Sequence, residues 1–286
     1  MTELPLTLMA VHAHPDDEAT STGGILARYA AEGIRTVLVT CTDGACGDLP
    51  GGVKPGDPGH DRKDVVELRA RELEASCAIL GVDHLELLEY PDSGMMGWPQ
   101  NDAAGSFWTT PVAEGAARLS ELMEHYRPQV VVTYDPNGFY GHPDHIQAHR
   151  ITMAAAAATG IPAKLYWPTI PHSAMAGFAQ RMRDVGVEMP APSESEDEAT
   201  GEGGRGGPIG SPDEDIAAWV DVRAYADRKY DALAAHASQG DNIFFLRMGR
   251  EVFAELWGQE VFLRAVDTTG TALPEDDLFA GLRPAG

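Results

Sequence analysis

Short apolar runs alternating with amphipathic segments constrain this chain more than any other feature. Leu6-Thr7-Leu8-Met9-Ala10-Val11, Thr36–Cys41, His84–Leu88, Gln129–Tyr134 and Lys164–Trp167 each read as a strand, most of them apolar on both faces. Between them, Thr22–Glu32, Asp64–Leu80, Pro111–Tyr126 and His145–Thr159 read as helices, the clearest with an apolar face opposite a charged one. Apolar strands joined by helices make a mainly parallel sheet covered on both sides. The expected class is α/β, a Rossmann-like sheet with a smaller, irregular carboxyl-terminal part.

Residues 1–187 are expected to form the core and 188–215 a flexible loop, rich in Glu, Gly, Pro and Ser with almost nothing to bury. Residues 216–286 are expected to complete the same domain, with a strand at Ala217–Val222, a helix at Arg223–His236 and a strand at Glu260–Ala265. The stretch from Asp267 to Gly286 reads as a loosely ordered tail. Gly201-Glu202-Gly203-Gly204-Arg205-Gly206 matches GxGxxG, but no strand precedes it and no helix follows, so the dinucleotide reading fails on context.

With 44 acidic and 21 basic side chains the formal charge is −23, which repels nucleic acid and anionic membranes. Cys41, Cys46 and Cys77 are the three cysteines, an odd and low number that fits a reducing compartment. No signal-peptide pattern opens the sequence and no apolar run is long enough to span a bilayer. The expectation is a cytoplasmic protein with no nucleic-acid or membrane partner; the sequence leaves the oligomeric state open.

The first strand runs into His14-Pro15-Asp16-Asp17-Glu18. Pro15 removes a ladder donor, so these polar groups lie at the strand's carboxyl end, the edge where open α/β sheets bind ligands. The fourth strand runs into Asp135-Pro136-Asn137-Gly138-Phe139-Tyr140-Gly141-His142-Pro143-Asp144-His145. Both clusters leave the same sheet edge and so can converge. His14, Asp17 and His145 then supply two nitrogens and an oxygen, and three protein ligands with a vacant position is the pattern of catalytic zinc. One zinc ion per chain is expected, although the same donors suit other divalent transition metals.

Asp16 is placed to take a proton from water as general base. Tyr140 and His142 are placed to stabilise an oxyanion, with Asp144 orienting His142 and keeping it protonated. Glu18, His12 and His149 read as supporting groups rather than ligands. No glycine fingerprint follows the first strand and no G-x-S-x-G elbow occurs, which disfavours a nicotinamide oxidoreductase and a serine hydrolase.

These paired motifs resemble the LmbE-like zinc de-N-acetylase family from about Leu6 to Gly160, and more loosely through Tyr230–His236. The family includes deacetylases of N-acetylglucosaminyl-inositol and N-acetylglucosaminyl-phosphatidylinositol, and the mycothiol S-conjugate amidases. The resemblance implies His14, Asp17 and His145 as metal ligands, Asp16 as base, and Tyr140 and His142 as oxyanion groups. It also implies substrate contacts at Arg69, in the Asp92–Met95 turn (Asp92 and Met95), and at His236, where the family closes its pocket. The implied activity is removal of an N-acetyl group from an amino-sugar conjugate. An S-conjugate-type amidase or a natural-product N-acyl sugar deacetylase would share every catalytic residue. A sugar-binding module without turnover fits less well, since both the base and the oxyanion groups are present.

Overall fold

The computed structural model describes residues 5–184, 209–240 and 245–283. Seven strands form one sheet: β1 (Thr7–His12), β2 (Arg35–Thr42), β3 (His84–Tyr90), β4 (Val130–Val132), β5 (Lys164–Thr169), β6 (Ala218–Asp221) and β7 (Gln259–Asp267). Their order is β3-β2-β1-β4-β5-β7-β6. The first five pair in parallel, while β7 runs antiparallel to both β5 and β6. The chain winds outward from β1 through β2 to β3, then returns to lay β4 against the other side of β1. That reversal is a topological switch point, where strand-end loops diverge and leave a crevice.

The period-2 alternation of β1 sends its side chains to two cores. Leu8 and Ala10 pack with Ile25 and Leu26 of α2 (Gly23–Ala31) and with Leu73 and Leu80 of α3 (Arg62–Leu80). Met9 and Val11 pack on the opposite face with Leu119 and Met123 of α4 (Val112–Tyr126) and Ile151 of α6 (Pro143–Thr159). Both cores seal β1, β2 and β4, whereas the edge strand β3 leaves Leu87 exposed.

Two further turns shape the crevice: α1 (Asp17–Ser21), directly before α2, and α5 (Gly138–Gly141), directly before α6. The helix expected at Arg223–His236 begins with a 3₁₀ turn and continues as α8 (Ala226–Ala235). Two helices were not anticipated: α7 (His172–Asp184) and α9 (Gly249–Trp257), the latter anchored by buried Phe253.

The tail beyond Asp267 departs from expectation, because Glu275, Leu278 and Phe279 are buried. Glu275 accepts from Lys164 Nζ at 2.5 Å, Tyr166 Oη at 2.5 Å and Arg264 Nη1 at 3.1 Å. Few apolar residues and no periodicity hid this packing, since a charge network forms much of it. Glu260 of β7 binds the first turn of α2 in a similar way, accepting from the Gly24 and Ile25 amides at 2.8 Å each and from Lys229 Nζ at 2.6 Å. Gly24 permits the close approach, since a Cβ there would sit 2.5 Å from Val222 Cγ2. Of the acidic loop expected at 188–215, only 209–215 falls among the described residues, and Asp213–Asp215 forms a 3₁₀ turn. The GxGxxG match at 201–206 lies outside them.

Candidate metal centre

The loops leaving β1 and β4 meet at the switch point. After Pro15 the chain turns sharply, and Asp16 takes φ 115° and ψ −24°. Phe139, in the loop after β4, takes φ 66° and ψ −68°. Side-chain-bearing residues adopt such angles at a cost and only where their surroundings hold them. Asp135 holds the second loop by accepting from the Asn137 and Phe139 amides at 2.9 Å each. Gly138, at φ 65°, lies so close to α6 that a Cβ would stand 2.7 Å from the Ile146 nitrogen.

Three donor groups face one another across this junction. His14 Nδ1 lies 3.3 Å from His145 Nε2 and 3.3 Å from Asp17 Oδ2, and His145 Nε2 lies 3.5 Å from Asp17 Oδ1. Donors bound tetrahedrally at about 2.0–2.1 Å stand about 3.3–3.4 Å apart; the two nitrogens meet that spacing, and Asp17 approaches them with one oxygen each. His14 also belongs to two wider groups with donor atoms within 4.8 Å of one another, His14/His142/His145 and His14/Asp92/Asp144. One carboxylate oxygen of the cluster, Asp144 Oδ1, is buried without a hydrogen-bond partner. Two nitrogens and carboxylates suit several divalent transition metals.

The far side of each donor is fixed by the protein. His145 Nδ1 lies 3.2 Å from the Gly138 carbonyl, leaving Nε2 for the centre. His14 Nε2 lies 3.3 Å from Asp144 Oδ2, which also accepts from the Ser93 amide at 2.9 Å. Asp17 Oδ2 accepts from the His14 amide at 2.7 Å and from the Tyr134 hydroxyl at 2.6 Å. Tyr134 also stacks on His145 with ring centres 4.1 Å apart.

Charge is concentrated here. Burial alone would lower the pKa of His14, but hydrogen bonds to Asp144 and Asp17 hold it well above its ordinary value. Burial would raise Asp17, yet His145 and His14 hold it well below the carboxylate range. His145 is pushed down to about 4 by burial and by the neighbouring His14. Asp16 is pushed up to about 6 by burial, against the pull of Arg69, whose Nη2 lies 3.1 Å from Oδ1.

Two expected relationships are corrected. Asp144 does not orient His142 through its carboxylate, which serves His14 and Ser93 instead. His142 accepts from the Asp144 backbone amide at 3.1 Å through Nδ1, acting as the N-cap of α6. Nor is His142 kept protonated: burial and the charges of His14 and His145 push its pKa down to about 3. It is a neutral imidazole with Nε2–H as its donor.

The substrate contacts expected from the sequence also divide. Met95, 42% exposed, stands at the surface. Arg69 and Asp92 are buried and hold the site's own loops. Arg69 donates to the Gly44 carbonyl at 2.8 Å and to the Pro15 carbonyl, while Asp92 accepts from the Cys46 and Gly94 amides at 3.0 and 2.8 Å. His236 is fully buried, with Nε2 2.7 Å from Glu18 Oε1, and is no surface contact. Tyr140, 40% exposed, lies with its ring centre 5.1 Å from that of His145. Tyr134 and Ser93 were missed. For Tyr134 a signal existed: a polar aromatic at the carboxyl end of a buried strand faces the same crevice as the motif after it.

The model of the PIG-L family, GlcNAc-PI de-N-acetylases, matches residues 9–156, just over half the chain and spanning both loops. The chain belongs to this family. Over 96% of its length it is 41% identical to the 1D-myo-inositol 2-acetamido-2-deoxy-alpha-D-glucopyranoside deacetylase of Acidothermus cellulolyticus, covering 95% of that protein. Among solved structures, the N,N'-diacetylchitobiose deacetylase of Pyrococcus horikoshii superimposes with a TM-score of 0.55 at 19% identity, covering 97% of this chain and 86% of that one. GalB, the 4-carboxy-2-hydroxymuconate hydratase of Pseudomonas putida KT2440, superimposes with a TM-score of 0.58 at 17% identity, covering 94% and 99%. A hydratase and a deacetylase on one fold show that the sheet alone does not choose the reaction. Family membership makes the chain an amide hydrolase of the carbohydrate N-deacetylase type. Among the described residues no helix is long and apolar enough to cross a membrane.

Proposed function

We propose that this chain is a zinc-dependent deacetylase that hydrolyses the acetamide of an N-acetylglucosaminyl-inositol. The facing of His14 Nδ1, His145 Nε2 and the Asp17 carboxylate within 3.3–3.5 Å carries this reading, supported by the full-length likeness to inositol-glucosaminide deacetylases. His14, Asp17 and His145 would hold the ion, which when bound supplies Lewis acidity and a lowered water pKa. The remaining chemistry belongs to side chains. Asp16 takes a proton from the attacking water, whose oxygen bonds to the acetamide carbon. Neutral His142 and Tyr140 donate to the carbonyl oxygen as it gains charge. The carbon–nitrogen bond then breaks, and the proton held by Asp16 passes to the departing amine. Acetate and the free amino sugar result. Arg69 keeps Asp16 aimed, Asp144 keeps His14 aimed, and Met95 meets the sugar at the mouth.

Met95, Met96 and Tyr140 are 40–48% exposed, and a mouth this open also admits a larger acyl group, which favours a conjugate amidase as the second reading. The test is amine release from N-acetylglucosaminyl-inositol and from an acyl-cysteinyl glucosaminyl-inositol, with zinc and with chelator. Faster, zinc-dependent release from the acetylated sugar is expected. Faster release from the conjugate would make the amidase the better reading, and release that survives thorough chelation would sink the metal role.

A further inference from the structure

The segment after α8, His236-Ala237-Ser238-Gln239, is bonded to three separate elements around the centre. His236 Nε2 lies 2.7 Å from Glu18 Oε1 in α1. Ser238 gives its amide and hydroxyl to the two oxygens of Glu72 in α3, at 2.9 and 2.7 Å. Gln239 exchanges bonds with Asp48, accepting from its amide and donating to its carbonyl at 3.2 Å each. His236, Glu18 and Ser76 are all completely buried. Of the three attachments, the one made by His236 reaches the element that carries the first motif.

Glu18 uses each oxygen differently. Oε1 receives Ser76 Oγ at 2.5 Å as well as His236. Oε2 accepts the backbone N–H of Asp16 at 2.9 Å. Asp16 is the residue at φ 115°, an angle an L-residue holds only under external restraint. Its carboxylate is fixed from the other side by Arg69. The backbone of the general base is thus pinned by Glu18, and Glu18 is in turn pinned by Ser76 of α3 and by His236, 218 residues away.

We infer that His236 is a positioning residue for the hydrolysis, holding Asp16 in its strained, aimed conformation through Glu18. The inference rests on Asp16 being the base. Removing the His236 ring leaves Glu18 Oε1 to Ser76 alone, so Glu18 shifts towards α3, loosens its hold on the Asp16 amide and allows that backbone to relax. The carboxylate then drifts from the attacking water, and a displacement of about 1 Å lowers turnover by on the order of 100-fold. Substrate affinity depends on other groups and changes little.

The experiment uses the full chain loaded with zinc and N-acetylglucosaminyl-inositol as substrate, comparing wild type, His236→Ala, His236→Gln and Asp16→Asn. His236→Ala is expected to lose about 30–100-fold in kcat, with KM and zinc stoichiometry within about twofold of wild type. His236→Gln, whose amide reaches the Glu18 oxygen, is expected to recover most of that loss. A crystal structure of His236→Ala should show Asp16 out of its positive-φ conformation, a readout independent of activity. Unchanged kcat per zinc-loaded molecule, or an unmoved Asp16, would overturn the inference. If His236→Ala does not fold, His236→Asn, which withdraws its amide from Glu18, is read in the same way. Asp16→Asn separates the two ideas: full turnover there removes the base and the inference with it. An inactive Asp16→Asn beside a fully active His236→Ala removes the inference alone.

Discussion

Two buried charge clusters are built by opposite rules. Around Glu275 one carboxylate meets the ammonium of Lys164, the guanidinium of Arg264 and the hydroxyl of Tyr166, so its charge is answered from within the chain. At the switch point, Asp16, Asp17, Asp92 and Asp144 crowd around three imidazoles, and the guanidinium of Arg69 reaches Asp16. The first cluster is complete as folded; the second has more negative charge than its own cations answer. Burial of unanswered charge is unfavourable, and a chain keeps it where something from outside will supply the balance.

That contrast is open to attack. His145→Ala should leave the sheet folded yet lose the ion and lower turnover by at least about 10³-fold, because several kcal/mol of charge stabilisation leave with it. Metal analysis of the purified variant beside an amine-release assay checks this, and a full complement of zinc would remove His145 from the ligand set. Glu275→Ala should do the reverse. It strands Lys164, which is completely buried, and should lower stability by about 3–5 kcal/mol in urea titration, with zinc content and turnover of the folded fraction unchanged. A parallel loss of zinc affinity would mean that the two clusters are coupled. The smallest effect is expected from Tyr134→Phe, which keeps the ring stacked on His145 but removes the donor to Asp17. Zinc affinity measured by chelator competition should weaken about 10–100-fold, the usual scale for a group supporting a metal ligand. No change would show that the His14 amide suffices to aim Asp17.

The half of the molecule around β1 and β4 was readable because its signals are local. A short, mostly apolar run followed by a proline-broken polar one marks a strand end, and two such ends on one sheet edge bring His14 and His145 together. The assignments that failed depend on partners far away in sequence. Nothing near Glu275 announces Lys164, 111 residues earlier, so a packed tail read as a loose one. Asp144 was given to His142, two residues away, whereas its oxygen reaches His14 across 130 residues. His236 was expected at the substrate because its surroundings resemble a pocket-closing segment; in the structure it is buried against Glu18. Helix α7 has few large apolar positions and runs towards the low-complexity stretch, whereas α9 carried a readable signal in Val252, Phe253, Leu256 and Trp257 at helical spacing.

The switch between β1 and β4 has a bearing on how the protein comes into being. His14 and His145 are separated by 131 residues, and they meet only because Leu8, Met9 and Ala10 lie in register with Val130, Val131 and Val132. Closing so long a loop is a slow, high-contact-order step. A nascent or partly opened chain in which that seam has not zipped holds half a binding site at each end and retains nothing. Ion capture through the proposed ligands would therefore report completed topology, and each ion captured would shift the folding equilibrium of the entire sheet rather than of one loop.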